Sequence, residues 1–261
     1  MIKYDSHLLL EDCPKLSELV QKNIQYRSQE YEEMNITYAP FIRKTIQAFN
    51  LSSNSTFQTL SSLFDTLIVD KFLGKPLPSD YTEDDLNNLN HIFNWFNNLK
   101  YSGNVSKVIN SRKWEKIISE FDKRINNLTG YPLKWSFLSA HDTDVIPAKT
   151  DLNFSSFQCI EDLYRKGKTD ALNCQPDVGF ASSLIFELHS DNDKDFYVMI
   201  RSQGKYMNLC EKQSTKCSYT EWKNKMKSYI INNVDELCGL KDPFYKGQMS
   251  RGMESIDHNV I

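Results

Sequence analysis

The chain has 261 residues, 40% apolar and 25% charged, which is the composition of a folded globular protein and excludes disorder throughout. Its 31 basic and 34 acidic side chains leave a net charge of −3, so bulk electrostatics draws it neither to nucleic acid nor to an anionic membrane. No run reaches the roughly 18 apolar residues of a membrane span.

In chain order, the first 130 residues read mainly as helices. Leu16, Leu19, Val20 and Ile24 recur at helical spacing, and so do Phe57, Leu60, Leu63, Phe64, Leu67 and Ile68, ending near Gly74-Lys-Pro-Leu-Pro78. A third helix begins at Thr82, with Asp85 placed for a capping box, and buries Leu86, Leu89, Ile92, Phe93 and Phe96. A fourth runs from about Val105 to Leu128, with room for a break near Asn110-Ser111. The character then changes. Residues 133–139 predict a short strand running into the polar cluster Ala140-His141-Asp142-Thr143-Asp144. Residues 180–189 and 196–202 predict two strands joined by Asp191-Asn192-Asp193 as a hairpin, and 206–209 a further short strand. Ser218 with Glu221 caps a last helix carrying Trp222, Met226, Tyr229, Ile230 and Val234. Helices first and strands later predict an α/β fold with a helical excursion: residues 12–104 a helical insertion, 105–240 the α/β core, and 241–261 a polar, disordered tail.

Six cysteines stand at 13, 159, 174, 210, 217 and 238, with no Cys-x-x-Cys and no zinc-type spacing. Proximity favours Cys159 with Cys174 and Cys210 with Cys217, leaving Cys13 with Cys238, although spacing alone does not choose among the pairings. Six buried free thiols of a reducing compartment are the alternative. Sequons occur at Asn35, Asn50, Asn54, Asn104, Asn127 and Asn153, about twice the number this composition gives by chance. Together with the cysteines they predict a secreted protein, or one of a lysosomal or vacuolar lumen. The first residues lack the shape of a signal peptide, since Leu8–Leu10 is too short for its apolar region, so a leader upstream is expected.

The densest polar cluster, His141-Asp142-Thr143-Asp144, lies where a predicted strand ends, the place where open α/β sheets hold ligands. An imidazole there donates to a charged phosphoryl oxygen while a carboxylic acid protonates the leaving oxygen. Two plainer readings compete. One is a polar loop in which Asp142 caps the following helix. The other is a metal site of His141, Asp142 and Asp144, for which His7, His91, His189 and His258 offer no supporting spacing. No nucleophile elbow, phosphate-cradling glycine loop or dinucleotide fingerprint occurs.

Ser139-Ala140-His141-Asp142-Thr143 resembles the second signature of the histidine acid phosphatases. Asp12-Cys13-Pro14 resembles that family's entry to its helical domain, and Phe180-Ala181-Ser182-Ser183 with Phe186-Glu187-Leu188 resembles one of its core strands, so the likeness runs from about residue 12 to 240. It implies a histidine-phosphatase-like core sheet, incomplete here, with a helical insertion. It also implies hydrolysis of small phosphomonoesters at acid pH through a phosphohistidine, without a cofactor. In that division of labour His141 binds and stabilises the phosphoryl group and Asp142 is the proton donor. The resemblance implies the bonds Cys13–Cys238 and Cys210–Cys217, leaves Cys159–Cys174 as a local clip, and allows a homodimer. No Arg-His-Gly, the family's nucleophile and phosphate-binding motif, occurs in the 261 residues. Asp144 stands where the family usually has Thr, an added negative charge that opposes phosphate binding. The chain is therefore expected to be inactive alone, either the C-terminal part of such a phosphatase or a non-catalytic secreted glycoprotein that binds a partner.

Overall fold

Pro14 opens the first helix at a position whose N–H would have no acceptor, so its ring costs nothing there. In a computed structural model, which describes residues 13–127, 130–167, 173–192, 194–210 and 214–239, that helix is α1 (Pro14–Tyr26). It is followed by α2 (Ser28–Ala48), α3 (Phe57–Phe72), α4 (Glu83–Tyr101) and α5 (Asn104–Asn126). The capping box of α4 is formed on both sides: Asp85 N–H donates to Thr82 Oγ1 at 3.3 Å, and Thr82 N–H to Asp85 Oδ2 at 2.7 Å. Among these five, α2 has no counterpart in the predicted elements. Its inward stripe is Tyr31, Met34, Tyr38, Phe41, Ile42 and Thr45, correctly spaced but half of it hydroxylated, and Pro40 sits within it.

α5 runs unbroken through Asn110 and Ser111, where the sequence left room for a break. Both are fully buried and polar, and both find partners, although Asn110 Oδ1 is left without one. Asn110 Nδ2 donates to Asp151 Oδ2 at 2.8 Å, and Ser111 Oγ donates to Lys107 O and accepts from Ile231 N–H at 2.9 Å. A helix tolerates such residues when their side chains find partners.

After α5 come α6 (Asp142–Asp151) and α7 (Phe157–Tyr164), then β1 (Leu184–Asp191), β2 (Asp195–Ser202), β3 (Lys205–Met207), β4 (Cys217–Ser218), α8 (Tyr219–Lys227) and α9 (Val234–Leu237). The protein is mixed α/β, 57% helical, with a small open antiparallel sheet. β2 is its centre, paired with β1 in register from Leu184↔Ser202 to Asp191↔Asp195, and on its other side with β3 and then β4. The hairpin at Asp191-Asn192 turns with Asn192 at φ 61°, a conformation Asn accepts more readily than most residues. β1 starts later than the predicted 180, because Gly179 to Ser182 forms a turn with Ala181 at φ 57°.

Two expectations fail here. Residues 133–139 are not a strand: no sheet neighbour lies beside them among the described residues, and Trp135 and Phe137 are 70% and 87% exposed. Strand propensity cannot make a ladder without a partner. The last helix also ends at Lys227, and Val234 begins the separate short helix α9 after Asn233, which stands at φ 58°. The expected tail, 241–261, lies outside the described residues.

Apolar side chains gather in three clusters. The largest lies among α2, α3 and α4, with Ile146 and Ile160 added from α6 and α7. The second packs Trp114 and Ile118 of α5 and Ala148 of α6 onto Val198, Ile200, Trp222 and Met226. α6 therefore contributes to both. The third is small, Cys13, Val108, Val234 and Cys238, and holds the disulfide that joins the two ends of the described chain. Cys159–Cys174 and Cys210–Cys217 are the other two disulfides.

Between α2, α4 and α7 lies a buried polar network. His91, 1% exposed, takes the Tyr38 hydroxyl at Nδ1 and stacks on Tyr164, whose own hydroxyl donates to Asp177. Its Nε2 has no hydrogen-bond partner and faces Glu161 Oε1 at 3.9 Å. Burial, helped by the nearby Arg165 guanidinium, pushes the imidazole down to about 4. Between that value and the unfolded 6.5 the unfolded imidazole takes up a proton that the folded one refuses. The stability present above pH 6.5 is thus lost as pH falls toward 4, by about 3 kcal/mol if His91 acts alone. Asp151 and Glu115, both raised chiefly by burial, offset part of this loss because they protonate first in the folded state. Urea midpoints from pH 7 to 4 should decline in the native protein and flatten in His91→Gln. Parallel slopes would remove His91 as the cause.

Candidate active site

His141 is the N-cap of α6 and Asp142 its first residue. The helix starts here because the Asp144 carboxylate reaches back to accept the His141 N–H at 3.1 Å, satisfying a group that the helix leaves unpaired. The capping acid is therefore Asp144, not Asp142 as the loop reading had it. Asp142 Oδ1 accepts the neighbouring Thr143 N–H at 2.8 Å. His141 is exposed and Asp142 half-buried, so an incoming ligand meets both.

Neighbouring elements supply the electrostatics. Lys113 of α5 pairs with Asp144 Oδ1 at 2.7 Å, both side chains being mostly buried. The extra negative charge expected to oppose phosphate is thereby countered by a lysine from the middle of a different helix. At the end of α4, burial lowers the Lys100 ammonium and the charge of Asp142 works against that shift. Tyr101 beside it is pushed up to about 12 by burial and then by Asp142 and Asp144. One exposed imidazole and one reachable carboxyl thus stand at the N-terminus of α6, where Lys113 is spent on Asp144 and the charge of Lys100 is set against that of Asp142. Behind it, Asp151 at the far end of α6 accepts from Asn110 Nδ2 and from Trp114 Nε1 at 2.9 Å, fixing the helix to α5.

Neither lysine was foreseen from sequence, because each arrives from a helix remote in the chain. Lys149 of α6 was missed as well: it is fully buried, donates to the Asp177 carbonyl, and burial lowers it to about 8. The only three candidate metal-ligand side chains that converge among the described residues are Cys210, Cys217 and Glu221, and both thiols are spent in a disulfide. His141, Asp142 and Asp144 do not converge in that way. Of the sequon asparagines, Asn50, Asn54, Asn104, Asn127 and Asn153 are exposed, while Asn35 is half-buried midway along α2. Among the described residues no helix is long and apolar enough to cross a membrane, and the three disulfides fit an extracellular or lumenal protein.

No protein-family model matches the chain, and no curated protein matches it.

Proposed function

We propose that this chain carries the proton-donor half of a histidine acid phosphatase-like site. His141 donates to a charged phosphoryl oxygen, and Asp142, in its acid form, protonates the departing alcohol. The observation that supports this reading is the placement of the His141-Asp142 pair at the start of α6, accessible and with the Lys100 ammonium in electrostatic reach of Asp142. A phosphohistidine route needs a nucleophilic histidine and a cationic clamp, and the 261 residues contain no Arg-His-Gly to supply them. The purified 261-residue chain should accordingly leave p-nitrophenyl phosphate unhydrolysed from pH 4 to 7. Turnover abolished by Asp142→Asn would show that the chain is already a complete enzyme.

The reading is tested on the native protein by its intact mass, after glycan removal and without reduction. A mass well above 30.5 kDa, with a phosphatase activity that Asp142→Asn lowers by about 100-fold or more, supports it. A native species of 30.5 kDa, six hydrogens light and without phosphatase activity, overturns it. That outcome favours the second reading, a non-catalytic lumenal binding protein. The exposed aromatic pairs Trp135–Phe137 and Phe72–Phe180 argue for it, because clustered exposed apolar rings mark binding surfaces.

A further inference from the structure

The groove between α5 and the chain from Lys227 to Asn232 measures about 780 Å³, within the size range of small-molecule sites, roughly 300–1,000 Å³. Its walls mix apolar and hydrogen-bonding surface: Ile118 and Ile230 face it with the ring of Tyr131, and Asp122 and Lys227 supply charge. Such a lining suits a sugar, which has an apolar ring face edged with hydroxyls. The groove also contains Asn127, the acceptor of the sequon Asn127-Leu128-Thr129.

The carboxamide of Asn127 is held in one pose. Its Oδ1 accepts the Gly130 N–H at 3.0 Å, and its backbone carbonyl accepts the Tyr131 N–H at 3.1 Å. A Cβ at position 130 would come within 2.6 Å of that Oδ1 and 2.7 Å of Nδ2, so glycine leaves the amide the room it occupies. Asn50, Asn54 and Asn104, exposed as they are, line neither this groove nor the smaller one of about 440 Å³. That smaller groove contains Asn153, a second sequon asparagine.

We infer that the N-linked glycan of Asn127 lies in this groove, its inner sugars packed against Tyr131, Ile118 and Ile230, and ties α5 to the segment after α8. The groove is thus a binding site for the protein's own modification. The inference rests on passage through the secretory pathway, not on catalysis, so it stands or falls apart from the phosphatase reading.

The test uses the full chain made in a glycosylating host. Glycopeptide mapping should find Asn127 occupied. Amide exchange along 115–123 and 227–232 should then be about fivefold slower or more than in Thr129→Ala, which lacks the glycan but keeps Asn127. Asn54→Gln, which removes a sugar from no groove, should leave both stretches unchanged. An unoccupied Asn127 beside occupied neighbours, or exchange that ignores the glycan on either wall, overturns the inference. All six sequons unoccupied would overturn it too, together with the lumenal assignment it rests on.

Discussion

Replacing both Cys13 and Cys238 with serine should lower the unfolding free energy by about 5 kcal/mol, the largest loss expected among the three disulfides. The bond spans 225 residues, so nearly every conformation of the unfolded chain is restricted by it. In the chain-entropy account the cost of losing a crosslink grows with the logarithm of its loop. The same relation gives about 3 kcal/mol for Cys159–Cys174 and about 2 for Cys210–Cys217, whose partners are 15 and 7 residues apart. Urea unfolding of the three double-serine variants should reproduce that order. The cluster around the bond is small, with Val108 and Val234 buried and Leu16 and Leu19 packed beside them. If the Cys13/Cys238 pair proved no costlier than Cys210/Cys217, local contacts and not loop closure would be setting stability at the ends.

Trp114→Ala is the second large effect, a loss of about 4 kcal/mol. The indole is 2% exposed, meets Phe186 edge to face at 5.7 Å, and donates to Asp151 Oδ2. Its removal opens a cavity between α5 and the sheet and takes a donor from a buried carboxyl whose pKa burial already raises. Trp114→Phe keeps one ring of the packing and loses the donor, so it should cost about 1–2 kcal/mol for the hydrogen bond and less than Ala in all. The pair of variants separates packing from hydrogen bonding by denaturation at neutral pH. Equal losses in Phe and Ala would mean that the hydrogen bond to Asp151, not the ring's volume, joins α5 to α6. Since α6 presents His141 and Asp142 at its other end, loosening this seam also loosens the candidate site.

The helices α1, α3 and α4 were legible because their apolar residues recur at helical spacing, even though α4 also buries His91, Asn94, Asn97 and Asn98. α2 was not, since three of its six inward residues are Tyr or Thr and read as surface. α6 hides for a different reason: Ile146 enters one cluster and Ala148 another, so burial on two sides erases the period. The hairpin of β1 and β2 was legible from alternation and its Asp-Asn turn. Residues 133–139 showed strand chemistry equally well and form no strand, which marks the limit of reading a sheet from one strand's sequence. At the candidate site the sequence singled out His141 and Asp142, and its polar-loop reading gave the capping role to Asp142 where Asp144 makes the bond. Choosing between Asp142 and Asp144 requires the direction in which the chain enters α6, and Lys113 and Lys100 reach the site only through tertiary packing.

The stretch from Pro132 to Ala140 has no backbone hydrogen bond to any described residue, and its aromatic side chains lie in solvent. Such a stretch is where a lumenal endopeptidase finds an open substrate in an otherwise folded protein. A cut there would part the helices before it from α6 and the sheet, yet Cys13 and Cys238 lie on opposite sides of the cut and stay bonded. The product would be a two-chain molecule, whole until reduced, with a new amino terminus a few residues from His141.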